Sequence, residues 1–184
     1  MPKIIPDVRN RILKSARKQL IESGFNGLSL RGVATECGIA VGTTYNYFSS
    51  KSELANVVME NDWKDVIAHT GTKKGEVSTP AEGVTAIYHA IHEFINQYST
   101  VIDQERSSSA SLKTVRASYP KLTSQIKDVL NDTLESFGYH ETESCLMLEA
   151  ELIIAASVSE TAQEADFADL TRRVFEGTKV RTQE

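Results

Sequence analysis

Between Leu28 and Lys51 the chain reads LSLRGVATECGIAVGTTYNYFSSK, and most of its usable chemistry is concentrated there. Val41, Gly42 and Thr43 are small residues at the start of a short helix, slim enough for a DNA major groove about 12 Å wide. Tyr45, Asn46 and Tyr47 supply hydroxyl and amide donors suited to phosphates. Lys51 adds a cation at the first position of the next helix, where free N–H groups also attract anions. Arg31 opens the preceding helix, and its guanidinium can take a guanine edge bidentately. Each residue also has a plainer use. Phe48 reads as core. Tyr45 is expected to do two jobs, its ring packed and its hydroxyl at the surface. Lys51 alone would be a solvated charge, and it is the clustering that turns it toward phosphate.

No comparable constellation exists elsewhere. There is no Ser-His-Asp order, phosphate loop or pair of catalytic carboxylates, so an enzyme is not expected. His89 and His92 can share a helix face with Glu93 nearby, but the set is neither HExxH nor HxxEH. It is weighed as pocket-edge or solvated histidine rather than metal, and no cofactor is expected. Cys37 and Cys145 form no CxxC or Cys/His array. Cys145 is expected to be a small buried hydrophobe, since no basic neighbour would activate it. Asn131-Asp-Thr133 is a glycosylation sequon of no consequence in a reducing, cytoplasmic setting, which cysteine usage favours.

The 184 residues suffice for one domain or a small module joined to a larger one. Hydrophobic residues make up 40% and charged residues 24%, near the average of folded soluble chains. No apolar run reaches the roughly 18 residues of a membrane span, and the first ten residues lack a signal-type stretch. The net charge of −5 argues against nucleic acid until it is divided along the chain. Residues 1–60 carry 8 Lys+Arg against 5 Asp+Glu, and residues 61–184 carry 12 against 20. A basic head joins an acidic body.

Helical periods recur throughout and alternating strand patterns are absent, which predicts an all-α chain of about nine helices. The first spans about 7–23, with Ile12, Leu13, Ala16 and Leu20 inward and Gly24 as its stop. Ser29 caps the second, which ends at Gly38 ahead of a buried Ile39. Residues 41–47 form the third, anchored by Tyr45 and Phe48. Ser50 to Glu53 fits a capping box opening a fourth helix to about His69, and Thr79 to Glu82 fits another with Pro80 at N1. The stretch 70–79 reads as a loop and domain boundary. The fifth helix has its stripe in Val84, Ile87, Tyr88, Ile91, Ile95 and Tyr98. The pattern weakens over 101–117, where Ser107 to Ser109 suggest an interruption, and Pro120 is expected to start a helix ending at Gly138. In Cys145–Val158, eleven of fourteen residues are apolar. A helix apolar nearly all round is buried on more than one side, so its own domain and a second subunit are both expected against it. A last helix runs near 166–180.

Ile12 to Gly24, Leu30-Arg-Gly-Val-Ala34, Gly38-Ile39, Gly42-Thr-Thr-Tyr-Asn-Tyr-Phe48, Lys51 and Leu54 together carry a specific resemblance. Residues 9–60 resemble the DNA-binding head of the TetR family of bacterial transcriptional repressors. The resemblance covers just under a third of the chain. It implies base-edge contacts for Arg31, Val41, Gly42 and Thr43, and phosphate contacts for Tyr45, Asn46, Tyr47 and Lys51. Thr44 falls at a position often apolar and packed, so its DNA contact ranks lower. Two departures stand out. Ala40 replaces the usual Ser or Thr cap, and Gly32 sits inside a helix at a cost of about 1 kcal/mol. With Val41 and Gly42 facing the groove, shape, water and thymine-methyl contacts are expected to carry much of the readout.

The resemblance further implies a helix-turn-helix head over residues 1–50, a connecting helix over 51–69, and an effector-binding and dimerisation body over 70–184. It implies a homodimer built on the last two helices, reading a pseudo-palindromic DNA operator and released by a small-molecule effector. The connecting helix would act as a lever of about 28 Å. Candidate effector-pocket residues are Trp63, Tyr88, His92 and Tyr119, large side chains with a polar handle that could equally be ordinary core. Candidate dimer residues are Leu148, Leu152, Ile153, Ala156, Phe167, Leu170 and Val174. An alternative is a regulator without an effector, controlled by a protein docking on the acidic body. A cavity of several hundred Å³ would favour the ligand.

Overall fold

The computed structural model describes residues 7–72, 77–106, 111–159, 161 and 163–181. Among them are nine α-helices and no strand: α1 (Val8–Gly27), α2 (Leu30–Cys37), α3 (Val41–Tyr47), α4 (Lys51–Thr72), α5 (Pro80–Gln97), α6 (Ser99–Arg106), α7 (Ser111–Ser136), α8 (Glu143–Ser157) and α9 (Glu164–Arg181). No helix among the described residues is long and apolar enough to cross a membrane.

The chain forms two compact units. The first comprises the residues up to Lys64 together with Gln97–Leu112, and the second Asp65–Asn96 together with Lys113–Glu184. This differs from the linear partition expected at residues 50 and 69. The first unit takes the start of α4 and recruits α6, which packs on α1.

In the first unit Ile12, Ala16 and Leu20 of α1 are fully buried against Leu30, Val33 and Ala34 of α2. Leu13, expected in the same stripe, is only half-buried. Polar contacts fix the pair. Ser15 Oγ donates to Glu36 at 2.6 Å, and Arg11 donates to the Cys37 carbonyl at 2.8 Å. Glu36 is held below the usual glutamate range, chiefly by the Ser15 hydrogen bond. Ser29 caps α2 through the Gly32 N–H, and Gly38 ends it at φ 64°, a left-handed position that favours glycine. The N–H of Ile39 reaches the Ala34 carbonyl and that of Gly38 the Thr35 carbonyl, the paired bonds of a Schellman turn. Ile39 itself is half-buried rather than buried.

Two expected helix limits move. Gly24 adopts φ 66° and kinks α1, yet the helix resumes to Gly27. Pro120 lies inside α7 instead of opening it. Helix α4 reaches Thr72, so the anticipated loop is shorter, and its residues 73–76 lie outside the described residues, as do Ser107 to Ser109. Both capping boxes form, with a displaced return arm. Ser50 Oγ accepts the Glu53 N–H, while the Glu53 carboxylate takes Ser49 N–H and O–H. Thr79 Oγ1 accepts the Glu82 N–H, while Glu82 takes the Ser78 N–H.

In the second unit Val84, Ile87, Tyr88 and Ile91 of α5 join Ile126, Leu130 and Leu134 of α7, Leu146, Ala150 and Ile153 of α8, and Phe167 of α9 in one core.

Candidate nucleic-acid interface

Helix α3 is seven residues long and presents most of them outward. Gly42 and Asn46 are exposed, Val41 and Thr43 half-buried, and Tyr45 and Tyr47 are 53% and 43% exposed. A Cβ added at Gly42 would meet no atom within 4 Å, so this face is open to an approaching surface. As expected from Ala40, the helix has no side-chain N-cap. Arg31, on the first turn of α2, is exposed as well.

Two expectations are corrected here. Tyr45 does not pack its ring. The residue anchoring α3 is Thr44, fully buried one turn before Phe48. Residues 44 and 48 share a helix face, and that face meets the head core. The Thr44 hydroxyl is buried without a hydrogen-bond partner, which removes Thr44 from the accessible surface.

Lys51 is more constrained than a solvated cation. Its Nζ donates to the Asn26 carbonyl at 3.2 Å and lies 4.5 Å from the Phe25 ring centroid. Partial burial lowers its pKa below the usual lysine value. The end of α1 thus holds the ammonium at the first turn of α4.

Of the expected effector residues, Tyr88 and His92 meet each other. Tyr88 and Trp63 are buried, in different units. Tyr88 stacks on His92 at 5.5 Å and on Phe167 at 4.4 Å between ring centroids. His92 Nδ1 sits 3.0 Å from the Ser157 carbonyl oxygen, and Tyr119 is exposed on α7. Trp63 and Tyr88 complete cores, the competing use of their size. The second unit instead has an open cleft of about 430 Å³ that none of the four lines. Thr85, Ala86 and His89 of α5, Tyr139, and Arg172 and Phe175 of α9 form much of its wall. His89 Nε2 pairs with Glu164 at 2.8 Å. No cluster of three or more metal-ligating side chains occurs among the described residues.

The expected dimer residues divide. Leu148 (66%), Leu152 (49%), Leu170 (40%) and Val174 (49%) are exposed, while Ala156 is half-buried. Ile153 and Phe167 are buried within the unit and belong to its core. Cys145 is exposed, contrary to expectation. It stands three and seven residues before Leu148 and Leu152, on the same outward stripe of α8.

Residues 12–58 match the model of bacterial regulatory proteins, tetR family. The regulator UidR of Escherichia coli is 29% identical over 102 residues, covering 52% of this chain and 48% of that protein. The chain thus spans about half the length of such relatives. Solved structures match over nearly the whole chain. A transcriptional regulator from Aquifex aeolicus superposes with a TM-score of 0.59 at 18% identity, covering 94% of this chain and 98% of that one. The TetR-family regulator PfmR of Thermus thermophilus gives 0.53 at 19%, covering 90% and 97%. The three-helix head and the all-α body share the fold of these solved structures, and over residues 12–58 the chain is similar to the tetR family of bacterial regulatory proteins.

Proposed function

We propose that the chain is a sequence-specific DNA-binding transcriptional regulator, a repressor that reads a pseudo-palindromic operator as a homodimer and lets go when a small molecule binds. The observation carrying this reading is the outward face of α3. A bare glycine, two exposed tyrosines and an asparagine stand on a helix whose opposite side is locked by Thr44 and Phe48. Gly42 and the half-buried Val41 and Thr43 take the base edges with Arg31, while Tyr45, Asn46, Tyr47 and Lys51 take phosphates. The exposed apolar pairs on α8 and α9 support a two-fold contact. The 430 Å³ cleft falls within the size range of small-molecule sites and favours an effector over a docking protein as the controlling input.

Selection from random duplex DNA with the purified protein tests the reading. Recovery of a two-fold symmetric site is expected, with half-sites about 34–36 Å apart or a multiple of that. On that site Lys51→Ala weakens binding to all sequences alike and lowers the salt slope by about 1, whereas Thr43→Val alters preference at one position of each half-site. Binding indifferent to both substitutions refutes the assignment.

A further inference from the structure

Three donors meet on one oxygen in the first unit. Asp62 Oδ2 accepts from Arg17 Nε at 2.6 Å, from the Tyr98 hydroxyl at 2.7 Å and from Gln97 Nε2 at 2.9 Å. They come from three places: α1, the last residue of α5, and the residue that follows it. The Asp62 side chain is only 16% exposed and Tyr98 is fully buried. Burial and the adjoining carboxylate push the Tyr98 pKa up, so the phenol remains a neutral donor. A buried hydroxyl of this kind needs its acceptor.

The place of this node in the chain is a second observation. The boundary between the two units cuts α4 between Lys64 and Asp65, and cuts α5 between Asn96 and Gln97. Asp62 therefore lies in the final turn of α4 belonging to the head, and Gln97 and Tyr98 are the first residues at which the chain re-enters it. One carboxylate joins two of the chain's crossings. Through Arg17 it also joins them to α1, which Ser15 and Glu36 tie to α2.

We propose that Asp62 is a positioning residue for operator recognition. It fixes the direction in which α4 and α5 enter the head and so holds a pair of heads at one half-site spacing. This rests on the dimeric DNA-binding reading. Asp62 touches no DNA in this role; it acts through the helices that carry the head. A purely stabilising staple would change the melting temperature and leave the preference for spacing alone.

The test uses the full-length protein and the palindrome recovered by selection, alongside versions with one or two base pairs added at the centre. Wild type is expected to lose about tenfold in affinity for each altered spacing. Asp62→Asn is expected to bind the original spacing about tenfold more weakly, the scale of a lost charge-assisted hydrogen bond, and to discriminate among spacings by less than about threefold. An Asp62→Asn protein that is folded by circular dichroism and keeps the wild-type discrimination overturns the proposal. Should that variant fail to fold, Tyr98→Phe deletes one donor and little volume, and wild-type discrimination there overturns it equally. A wild type that binds no palindrome refutes the regulator reading itself, which is a separate and recognisable result.

Discussion

Thr44 sets the terms at the residue scale. Its neighbours in Gly42-Thr-Thr-Tyr-Asn-Tyr-Phe48 are readable by type and spacing, since small residues followed by hydroxyl and amide donors fit a groove and its phosphates. Thr44 has the same polar type and points the other way. The i,i+4 spacing from Phe48 contains that fact, in keeping with the lower rank of its expected DNA contact, whereas nothing in the local pattern separates the exposed ring of Tyr45 from an anchoring one. The buried, unpartnered hydroxyl has a consequence. Thr44→Val keeps the shape and removes an unsatisfied polar group. It is expected to stabilise the protein by about 1 kcal/mol, roughly 2–4 °C in melting temperature for a chain of this size. Operator affinity should stay within about twofold; a large loss of affinity without unfolding would return Thr44 to the contact surface. Asp62 was illegible for a different reason. Its partners lie 45, 36 and 35 residues away in sequence, and no local pattern announces a hydrogen bond of that range.

Helix starts proved more legible than helix interruptions. Ser29, Ser50, Thr79 and the acidic residues after the latter two are short-range signals, because a cap is made within four residues. A kink or a tolerated proline depends on what packs against the helix. That is why the local pattern alone reads Gly24 as a stop and Pro120 as a start. The head's surface carboxylates give the element-scale prediction. Glu53 is held below the usual 4.5 by the Ser49 hydrogen bonds at the start of α4, and Glu36 by Ser15 on the face of α2. Between the lowered native values and 4.5 the unfolded chain binds more protons than the folded one. The stability these contacts contribute is complete above about pH 4.5 and is lost as pH falls through the native values. Melting temperature followed from pH 6 to pH 3 should fall, and Glu36→Gln with Glu53→Gln should flatten that fall while lowering the plateau. A double variant whose acid limb matched wild type would assign the acid sensitivity elsewhere.

For the whole molecule, the apolar residues of α8 divide between the core and the surface. Leu146, Ala150 and Ile153 complete the core, while Leu148 and Leu152 stay outside it. Composition alone could not sort Ile153 from Leu152, because both are apolar and adjacent. The exposed residues make the proposed dimer testable without harming the core. Leu152→Glu is expected to leave the melting curve of the monomer intact, to yield a monomer by analytical ultracentrifugation, and to weaken operator binding by about 100-fold, since two tethered half-site contacts become one. A dimeric Leu152→Glu with full affinity would move the contact to another face. The head, meanwhile, is discontinuous in sequence: it needs Gln97, Tyr98 and Val101 as well as the residues up to Lys64. On the ribosome this imposes a wait. At about 5–20 residues per second, α6 follows Lys64 by roughly 2–8 s, and until then the nascent head lacks part of its own interior. Translation of the intervening body sequence is thereby a step in the folding of the head.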